Sequence, residues 1–273
     1  MKKQKIATVA VFIVLFIVMM SATKADTGID KVKQMLDYRL NNENASVGIS
    51  AAIIEGDNVS YLNVGVINKA NNTQTASNHL FEIGSISKTF TTIALASMVK
   101  EGKVKLTDTA QQYLRESVKL SVFKDKPITL LSLANHTSGL PRLPDNLTIA
   151  DPLDPYADYS VEQLYAFLNK YQLSRAVGTQ TEYSNLGTGL LGHILSLVDG
   201  KSYEQVIADR VFKPLKMNSS YVDIPADKMA MLSDGHNGEL IKTKHWNIPT
   251  LAGAGAIKSS AEDMVKYLSL IHI

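Results

Sequence analysis

The apolar positions near the start of the chain first follow a helical spacing and then a strand-like pattern. Residues 31–40 carry apolar side chains three to four positions apart, which predicts a helix. Residues 46–54 are small and β-branched, residues 59–67 alternate between apolar and polar, and the turn-forming residues 55–58 separate the two segments. This arrangement predicts a β-hairpin directly after the first helix.

Longer apolar runs with clear start and stop signals fill the middle of the chain. Residues 89–99 contain no charged residue and precede the sequence Lys-Glu-Gly, so we expect a buried helix that ends there. Residues 186–198 form a second apolar run, which stops at Asp-Gly. Ser160 and Ser202 each have Gln three positions later, the pattern of a capping box at a helix start. A helix, a hairpin and then helix-rich sequence predict the α+β class in a single domain.

The N-terminal pattern differs from that of the rest of the chain. Three lysines within residues 2–5 precede the uncharged apolar run 6–20 and a short segment that closes at Ala25. This is typical of a secretory signal peptide, and we predict one over residues 1–25. The alternative is a retained membrane anchor, but the run is shorter than the roughly 20 residues that a spanning helix needs. We therefore expect a periplasmic or secreted protein with no stable membrane span after cleavage.

Composition and charge limit the binding partners and the catalytic groups that the chain can be expected to use. Cleavage after Ala25 would remove four lysines and no acidic residue, which changes the formal net charge from +2 to −2. A mildly acidic chain without a basic stripe gives no reason to expect nucleic-acid binding. The chain has no cysteine, so disulfides, thiolate nucleophiles and cysteine-ligated metals are excluded. Its six histidines show no metal-ligand spacing, and we expect neither a metal nor another cofactor.

A serine and a lysine at the start of the uncharged helix form the first candidate for catalysis. Ser85 and Lys88 are three positions apart, so a helix places their side chains on one face. A lysine whose pKa is lowered by burial can take the serine proton during attack on a carbonyl, and a helix N-terminus favours the negative charge that develops. Ser-x-x-Lys occurs four times in the chain, at Ser21, Ser85, Ser97 and Ser121. Only Ser85 precedes an uncharged helix, and the alternative is an ordinary helix-capping serine.

The sequence Tyr183-Ser-Asn185 directly before the second apolar helix is the other candidate. A phenol near an ammonium loses its proton more easily and can pass a proton to a leaving nitrogen. The amide of Asn185 could hold a substrate carbonyl or orient Lys88. Tyr61 and Asn63 repeat the pattern, but they fall in the predicted hairpin, where an aromatic side chain is common. His136 lies in the sequence His-Thr-Ser-Gly, which we interpret as a helix-ending turn rather than a catalytic patch.

Taken together, four segments in order resemble the serine β-lactamase and penicillin-binding-protein family, on its class C β-lactamase and D-alanyl-D-alanine carboxypeptidase side. The segments are Phe81-Glu-Ile-Gly-Ser-Ile-Ser-Lys-Thr-Phe90, Leu133-Ala-Asn-His-Thr-Ser-Gly-Leu-Pro141, Tyr183-Ser-Asn-Leu-Gly187 and Ala252-Gly-Ala-Gly-Ala-Ile-Lys-Ser-Ser-Ala-Glu-Asp-Met264. The resemblance runs through essentially all of residues 26–268. It implies a β-lactamase/transpeptidase-like fold, in which an antiparallel sheet is flanked by helices and a helical lobe, with the site in the cleft between them.

The same resemblance implies a role for each candidate residue. Ser85 would be the acylated nucleophile and Lys88 its proton acceptor or activator. Tyr183 would serve proton transfer to and from the leaving nitrogen or the deacylating water, and Asn185 would anchor the substrate side chain. The expected ligand is a β-lactam or a peptidoglycan stem peptide. A class C-like β-lactamase is the leading hypothesis. The alternatives are a carboxypeptidase, endopeptidase or esterase of the same family, and a non-catalytic relative that binds penicillin or cell-wall peptide.

The chain departs from the family near its C-terminus. The family carries a third motif, Lys or His, then Thr or Ser, then Gly, on a strand that lines the cleft, and neither His236-Asn-Gly238 nor Lys258-Ser-Ser260 fits its place and composition. We therefore interpret residues 26–267 as an incomplete serine hydrolase domain whose last strands are missing. Residues 268–273 match one reading frame of a transposase adapter used in DNA library preparation, which predicts an adapter-derived tail.

Overall fold

A helix and a long β-hairpin begin the computed structural model, which describes residues 28–270. Helix α1 (Gly28–Asn41) contains the predicted segment, and it is followed by strands β1 (Gly48–Glu55) and β2 (Asn58–Asn68). The two strands pair antiparallel from Gly48 opposite Gly65 to Glu55 opposite Asn58. Only two residues connect them, as is usual for a tight hairpin. The predicted helix and hairpin are both confirmed.

The remaining strands are short. They are β3 (Thr73–Gln74), β4 (Phe81–Glu82), β5 (Ser220–Tyr221), β6 (Gly235–His236), β7 (Lys242–Thr243) and β8 (Lys258–Ser259). Strand β3 extends the hairpin, β8 lies between β4 and β5, and β6 pairs with β7. The expected antiparallel sheet is therefore divided into three small ones. They do not merge because, within residues 28–270, β2 is the only strand that pairs with β1.

Six helices follow α1 in the described part of the chain. They are α2 (Ser87–Lys100), α3 (Leu130–Ala134), α4 (Val161–Lys170), α5 (Asn185–Asp199), α6 (Tyr203–Ile207) and α7 (Ala261–Ser269). Both predicted capping boxes are present, with the Ser160 and Ser202 side chains accepting from the backbone N–H groups three residues later. Helix α5 ends at Asp199 and is capped by Gly200, as its Asp-Gly stop predicts.

The apolar face of α2 packs into one continuous core with α3, α4, α5 and α6. Phe90, Leu95 and Met98 of α2 are buried there. The lack of charge predicted a helix that is buried on every side. The structure differs, because Thr89 and Ala96 are exposed. Their small side chains carry little apolar surface, so their exposure costs little free energy.

The two ends of the chain lie partly outside the structure. The predicted signal peptide, residues 1–25, lies outside the described residues, as do residues 271–273 of the predicted tail. Residues 268 and 269 form the end of α7. Of the helices within residues 28–270, none combines the length and the apolar character needed to cross a membrane.

A close contact between α5 and the 3₁₀ turn Ala252–Ala254 depends on glycine. A Cβ atom on Gly253 would lie 2.8 Å from the carbonyl oxygen of Thr188, and one on Gly192 would lie 3.0 Å from the Cα atom of Gly253. Thr91 of α2 donates a hydrogen bond of 2.8 Å to the carbonyl oxygen of Gly253. The turn is thereby fixed between the two central helices.

Replacing Gly253 with alanine should destabilise the fold, because the added methyl group overlaps backbone that cannot move without displacing α5. We expect the free energy of unfolding to fall by about 1–3 kcal/mol, measured by chemical denaturation. Gly238→Ala is the matched control, since no atom lies within 4 Å of its added Cβ. Equal stability of the two variants would contradict the packing described above.

Candidate active site

Ser85 lies in a 3₁₀ turn, Gly84–Ile86, that leads directly into α2. Gly84 has a φ of 52°, in the left-handed region that favours glycine, and this turn leaves Ser85 exposed to solvent. Ile257 holds the turn from behind: its carbonyl accepts from the N–H of Ile83 at 3.1 Å, and its N–H donates to Ser87 Oγ at 3.1 Å. The hydroxyl of Ser85 is therefore accessible on a fixed backbone.

Lys88 lies one helical turn after Ser85, and its side chain is buried. Its Nζ donates to Ser85 Oγ at 3.1 Å and to the carbonyl oxygen of Ala254 at 2.6 Å. Burial lowers the pKa of Lys88 below its ordinary value; Tyr183 opposes this shift and the charge of Arg142 adds to it. A neutral amine is therefore easier to form here than on an exposed lysine.

Tyr183 lies against the same hydroxyl from the loop before α5. Its OH group is 2.7 Å from Ser85 Oγ, and the Nζ of Lys88 is 4.8 Å from the centre of its ring. Arg142 lies 5.0 Å from the same ring centre. Burial by itself would raise the pKa of Tyr183, but Lys88, the hydrogen bond to Ser85 and the charge of Arg142 outweigh it and lower this pKa below its ordinary value.

Asn185 is the first residue of α5 and lines the cleft beside Ser85. Its Nδ2 donates to the hydroxyl of Tyr156 at 3.5 Å, whereas its Oδ1 is buried without a hydrogen-bond partner. A buried carbonyl without a partner is unfavourable, so this atom is suited to accept an N–H from a ligand. The cleft has a volume of about 70 Å³ and is lined by Gly84, Ser85, Tyr156, Asn185, Trp246, Ile248, Ala254 and Gly255.

An aromatic wall formed by Tyr156 and Trp246 was not predicted from the sequence. The centres of the two rings are 5.5 Å apart. The backbone N–H of Trp246 donates to Glu82 Oε1 at 2.9 Å, and the N–H of Asn247 donates to Asp154 Oδ1 at 2.9 Å. Two features of the sequence could have indicated this wall: the single tryptophan of the chain and the acidic residues around Tyr156.

The segment 136–142 supports the Tyr183 segment. The predicted turn at His136 is confirmed, since this residue follows α3 with a φ of 62°. The carbonyl oxygen of Pro141 accepts from Ser184 Oγ at 2.6 Å, and that of Arg142 accepts from the N–H of Asn185 at 3.0 Å. The structure therefore brings Ser85, Lys88, Tyr183 and Asn185 together around one cleft, although they come from distant parts of the sequence.

The arrangement places one exposed hydroxyl in contact with an amine and a phenol whose pKa values are both lowered. Within residues 28–270, no group of three or more histidine and acidic side chains is placed to hold a metal ion. His236 lies in the β6–β7 hairpin, and Lys258 Nζ donates to the carbonyl oxygen of Val222 at 3.0 Å. Neither residue lines the Ser85 cleft.

Comparison with known proteins identifies a family and several relatives. The "Beta-lactamase" family model matches residues 30–272. The chain is 29% identical to a β-lactamase of Pseudomonas fluorescens over 245 residues, which cover 88% of this chain and 64% of that protein. It is 26% identical to the D-alanyl-D-alanine-carboxypeptidase/endopeptidase AmpH of Escherichia coli K12 over 246 residues, which cover 90% of this chain and 62% of that protein. The chain thus spans less than two thirds of the length of these relatives.

Solved structures agree with the sequence comparison in fold. A class C β-lactamase matches with a TM-score of 0.77 and 30% identity, over 90% of this chain and 66% of the other. A β-lactamase/D-alanine carboxypeptidase from Yersinia pestis, complexed with citrate, matches with a TM-score of 0.76 and 27% identity, over 89% of this chain and 68% of the other. The expected β-lactamase/transpeptidase-like α+β fold is confirmed. With the family model covering nearly all of the described residues, the chain belongs to the beta-lactamase family.

Proposed function

We propose that this chain is the serine-bearing part of a hydrolase that forms an acyl-enzyme with β-lactams, as class C β-lactamases do. The observation that carries the proposal is the position of Ser85 Oγ, 3.1 Å from Lys88 Nζ and 2.7 Å from the OH of Tyr183. Two groups with lowered pKa values therefore contact one exposed hydroxyl. Such a pair is suited to remove its proton at moderate pH.

Acylation would begin with attack of Ser85 Oγ on the carbonyl carbon of the substrate amide. The serine proton passes to whichever of Lys88 and Tyr183 is deprotonated, since losing a proton turns either donor into an acceptor. The new C–O bond forms, the C–N bond breaks, and the same pair returns a proton to the leaving nitrogen. In a β-lactam that nitrogen stays attached to the acyl group, so no fragment leaves at this step.

The backbone before α2 is suited to the negative charge of the intermediate. Ser85 lies in the turn that leads into α2, and the N-terminus of this helix carries partial positive charge from its backbone N–H groups. The N–H of Ser85 itself is one expected donor to the oxyanion. Water then attacks the ester, with the Lys88 and Tyr183 pair again moving the proton, and releases the opened product.

Asn185 and the aromatic wall would hold the acyl side chain. The unpaired Oδ1 of Asn185 accepts an N–H from the substrate amide, and the rings of Tyr156 and Trp246 offer apolar contact beside it. No cofactor takes part in this scheme.

A D-alanyl-D-alanine carboxypeptidase or endopeptidase is the second candidate, with an esterase of the same family beside it. AmpH is described as a D-alanyl-D-alanine-carboxypeptidase/endopeptidase and the Yersinia pestis protein as a β-lactamase/D-alanine carboxypeptidase, and both match about nine tenths of the chain. The ligand would then be a peptidoglycan stem peptide, from which D-alanine leaves on acylation. A non-catalytic binding protein is a third alternative, and the contacts among Ser85, Lys88 and Tyr183 argue against it.

We also propose that the protein acts outside the cytoplasm. The support is the signal-peptide pattern of residues 1–25, which lies before the segment that the family model matches. Both expected ligands, β-lactams and peptidoglycan peptides, are met in the periplasm or at the cell surface.

Labelling with a fluorescent penicillin tests the proposal directly. We expect a covalent adduct on the peptide that contains Ser85, with the full mass of the penicillin added. Rapid turnover of a chromogenic cephalosporin would favour the β-lactamase. A long-lived adduct, with release of D-alanine from a D-Ala-D-Ala peptide, would favour the carboxypeptidase. Absence of any adduct on Ser85 in the folded protein would refute both.

Replacing Tyr183 with phenylalanine should slow acylation by about 10²-fold, because the ring remains while one proton-transfer group is lost. Stopped-flow labelling with the fluorescent penicillin measures this rate. Tyr61→Phe is the matched control, since Tyr61 occurs in a similar Tyr-x-Asn pattern and is 38% exposed against 37% for Tyr183. Equal acylation rates for the two variants would show that Tyr183 takes no part in proton transfer.

A further inference from the structure

Three contacts to a single residue, His136, hold the chain on both sides of Tyr183. The carbonyl oxygen of His136 accepts from the N–H of Glu182 at 2.8 Å, and its ring Nδ1 accepts from the N–H of Ser184 at 3.2 Å. The imidazole also packs against the phenol ring of Tyr183, with the ring centres 4.7 Å apart. The residues before and after Tyr183, and its own ring, are therefore all fixed by His136.

The backbone conformation of His136 makes this contact possible. Its φ of 62° lies in the left-handed region, where histidine and asparagine occur more often than most residues. The turn after α3 uses this conformation, and the next carbonyl, that of Thr137, accepts from the N–H of Gly178 at 2.9 Å. The ring and the carbonyl of His136 thereby both reach the segment that contains Tyr183.

The hydrogen bond from Ser184 assigns the protons of the ring. A nitrogen that accepts a hydrogen bond carries no proton, so a neutral His136 has its proton on Nε2. A second proton, on Nδ1, would face the N–H of Ser184 and break the contact. Burial and the positive charge of Lys88 lower the pKa of His136 below its ordinary 6.5, so the neutral ring is present at neutral pH.

We propose that His136 is a positioning residue, which holds the hydroxyl of Tyr183 against Ser85 through a neutral imidazole and releases it when the imidazole is protonated. The effect of His136 on catalysis rests on the proposed function, since Tyr183 is one of the groups that move the Ser85 proton there. The effect of His136 on geometry rests on its contacts to Glu182, Tyr183 and Ser184.

The charged groups around His136 favour its neutral form. Lys88 and Arg142 both lie against the ring of Tyr183, on which His136 packs. Glu182 is the nearby acid, and its carboxylate pairs with Arg175 at 2.7 Å. Because the pKa of His136 is lowered in the fold, the contact to Ser184 is complete at neutral pH and is lost only as the pH falls through that lowered value.

Two substitutions separate the acceptor from the backbone conformation. His136→Gly keeps the left-handed turn but removes the ring and the acceptor, whereas His136→Asn keeps the turn and places an amide oxygen close to the position of Nδ1. We expect His136→Gly to lower the rate of Ser85 labelling by fluorescent penicillin about tenfold, and His136→Asn to stay within about threefold of the parent. An unchanged rate in His136→Gly, or no rescue by His136→Asn, would overturn the proposal.

His79→Gly is the matched control. The Nδ1 of His79 also accepts a backbone N–H, that of Ala76 at 3.0 Å, and burial lowers the pKa of this ring as well. His79 does not line the Ser85 cleft. We expect its replacement to leave the labelling rate within about twofold of the parent. A fall in the labelling rate equal to that of His136→Gly would show that general destabilisation causes both effects, and it would overturn the proposal.

The pH profile gives a second readout that a purely structural role would not change. Loss of the base form of the Lys88 and Tyr183 pair lowers the acylation rate about tenfold per pH unit on the acidic side. Protonation of His136 adds a further loss of about tenfold in total at lower pH, so the parent profile should fall there more steeply than tenfold per unit. His136→Asn cannot titrate, and its profile should keep the single slope. Identical profiles would contradict the proposal.

Hydrogen exchange of the Ser184 amide tests the contact without any reaction. In the full chain, this amide should exchange more slowly in the parent and in His136→Asn than in His136→Gly, at equal global stability. Absence of labelling at Ser85 combined with this protection would refute the proposed function and keep the contact. Normal labelling with equal exchange in all three proteins would refute the contact between His136 and Ser184 and keep the proposed function.

Discussion

Replacing Ser85 with alanine should abolish covalent labelling by a fluorescent penicillin and lower any cephalosporin hydrolysis by at least about 10⁴-fold. Oγ of Ser85 is the exposed atom that both Lys88 and Tyr183 contact, so without it the pair has no proton to take and the substrate no nucleophile. The hydroxyl is at the surface of the cleft, and its loss leaves the core intact. Intact-protein mass spectrometry and the steady-state rate measure the two effects.

Ser121→Ala is the control for the same sequence spacing. Ser121 also has a lysine three positions later, but its Oγ donates to Gln172 at 3.3 Å and accepts from the N–H of Leu173 at 3.0 Å, away from the cleft. We expect labelling within about twofold of the parent. If the Ser85→Ala protein were labelled at the parent rate, the nucleophile would have to be another residue.

Replacing Lys88 with arginine should lower the rate of acylation by about 10³-fold. Arginine stays protonated and cannot accept the proton of Ser85, and its planar head is larger than the ammonium that fits between Ser85 Oγ and the carbonyl of Ala254. Arginine cannot lose its proton, so raising the pH can restore the rate only as far as Tyr183 alone acts as the base, and part of the deficit should remain at high pH. Pre-steady-state labelling across a pH series measures both points.

Lys100→Arg is the matched control on the same helix. Lys100 follows Ser97 by three positions, as Lys88 follows Ser85, and it is exposed at the end of α2. This substitution should leave acylation within about twofold of the parent. Full recovery of the Lys88→Arg rate at high pH would show that Lys88 is not needed as a base.

Short-range sequence signals predicted the helices and the hairpin well. The capping boxes at Ser160 and Ser202 act through contacts three residues apart, so local sequence contains all the information that they need. The pairing of Ser85 with Lys88 is local in the same way. The position of Tyr183 is not: it is 98 residues from Ser85, and only its place in a known order of motifs linked the two before the structure showed a contact of 2.7 Å.

Other parts of the site could not be predicted, because they depend on tertiary packing or on main-chain atoms. The carbonyl of Ala254 has no sequence signal, since every residue carries one. Trp246 reaches the cleft because Glu82 and Asp154 hold its segment, and these contacts span large separations in sequence. His136 was correctly placed in a turn, but the left-handed conformation that aims its ring at Tyr183 became visible only in three dimensions.

The division between side-chain and main-chain parts of the site has a consequence for its evolution. The second partner of Lys88 is a peptide carbonyl in a turn packed against α5, and no single substitution can delete a carbonyl. The aromatic wall consists of the side chains of Tyr156 and Trp246, which one nucleotide change can replace. Mutation can therefore alter the wall of the cleft while the main-chain anchor of Lys88 persists. Under the proposed function, substrate preference can then diverge faster than the chemistry.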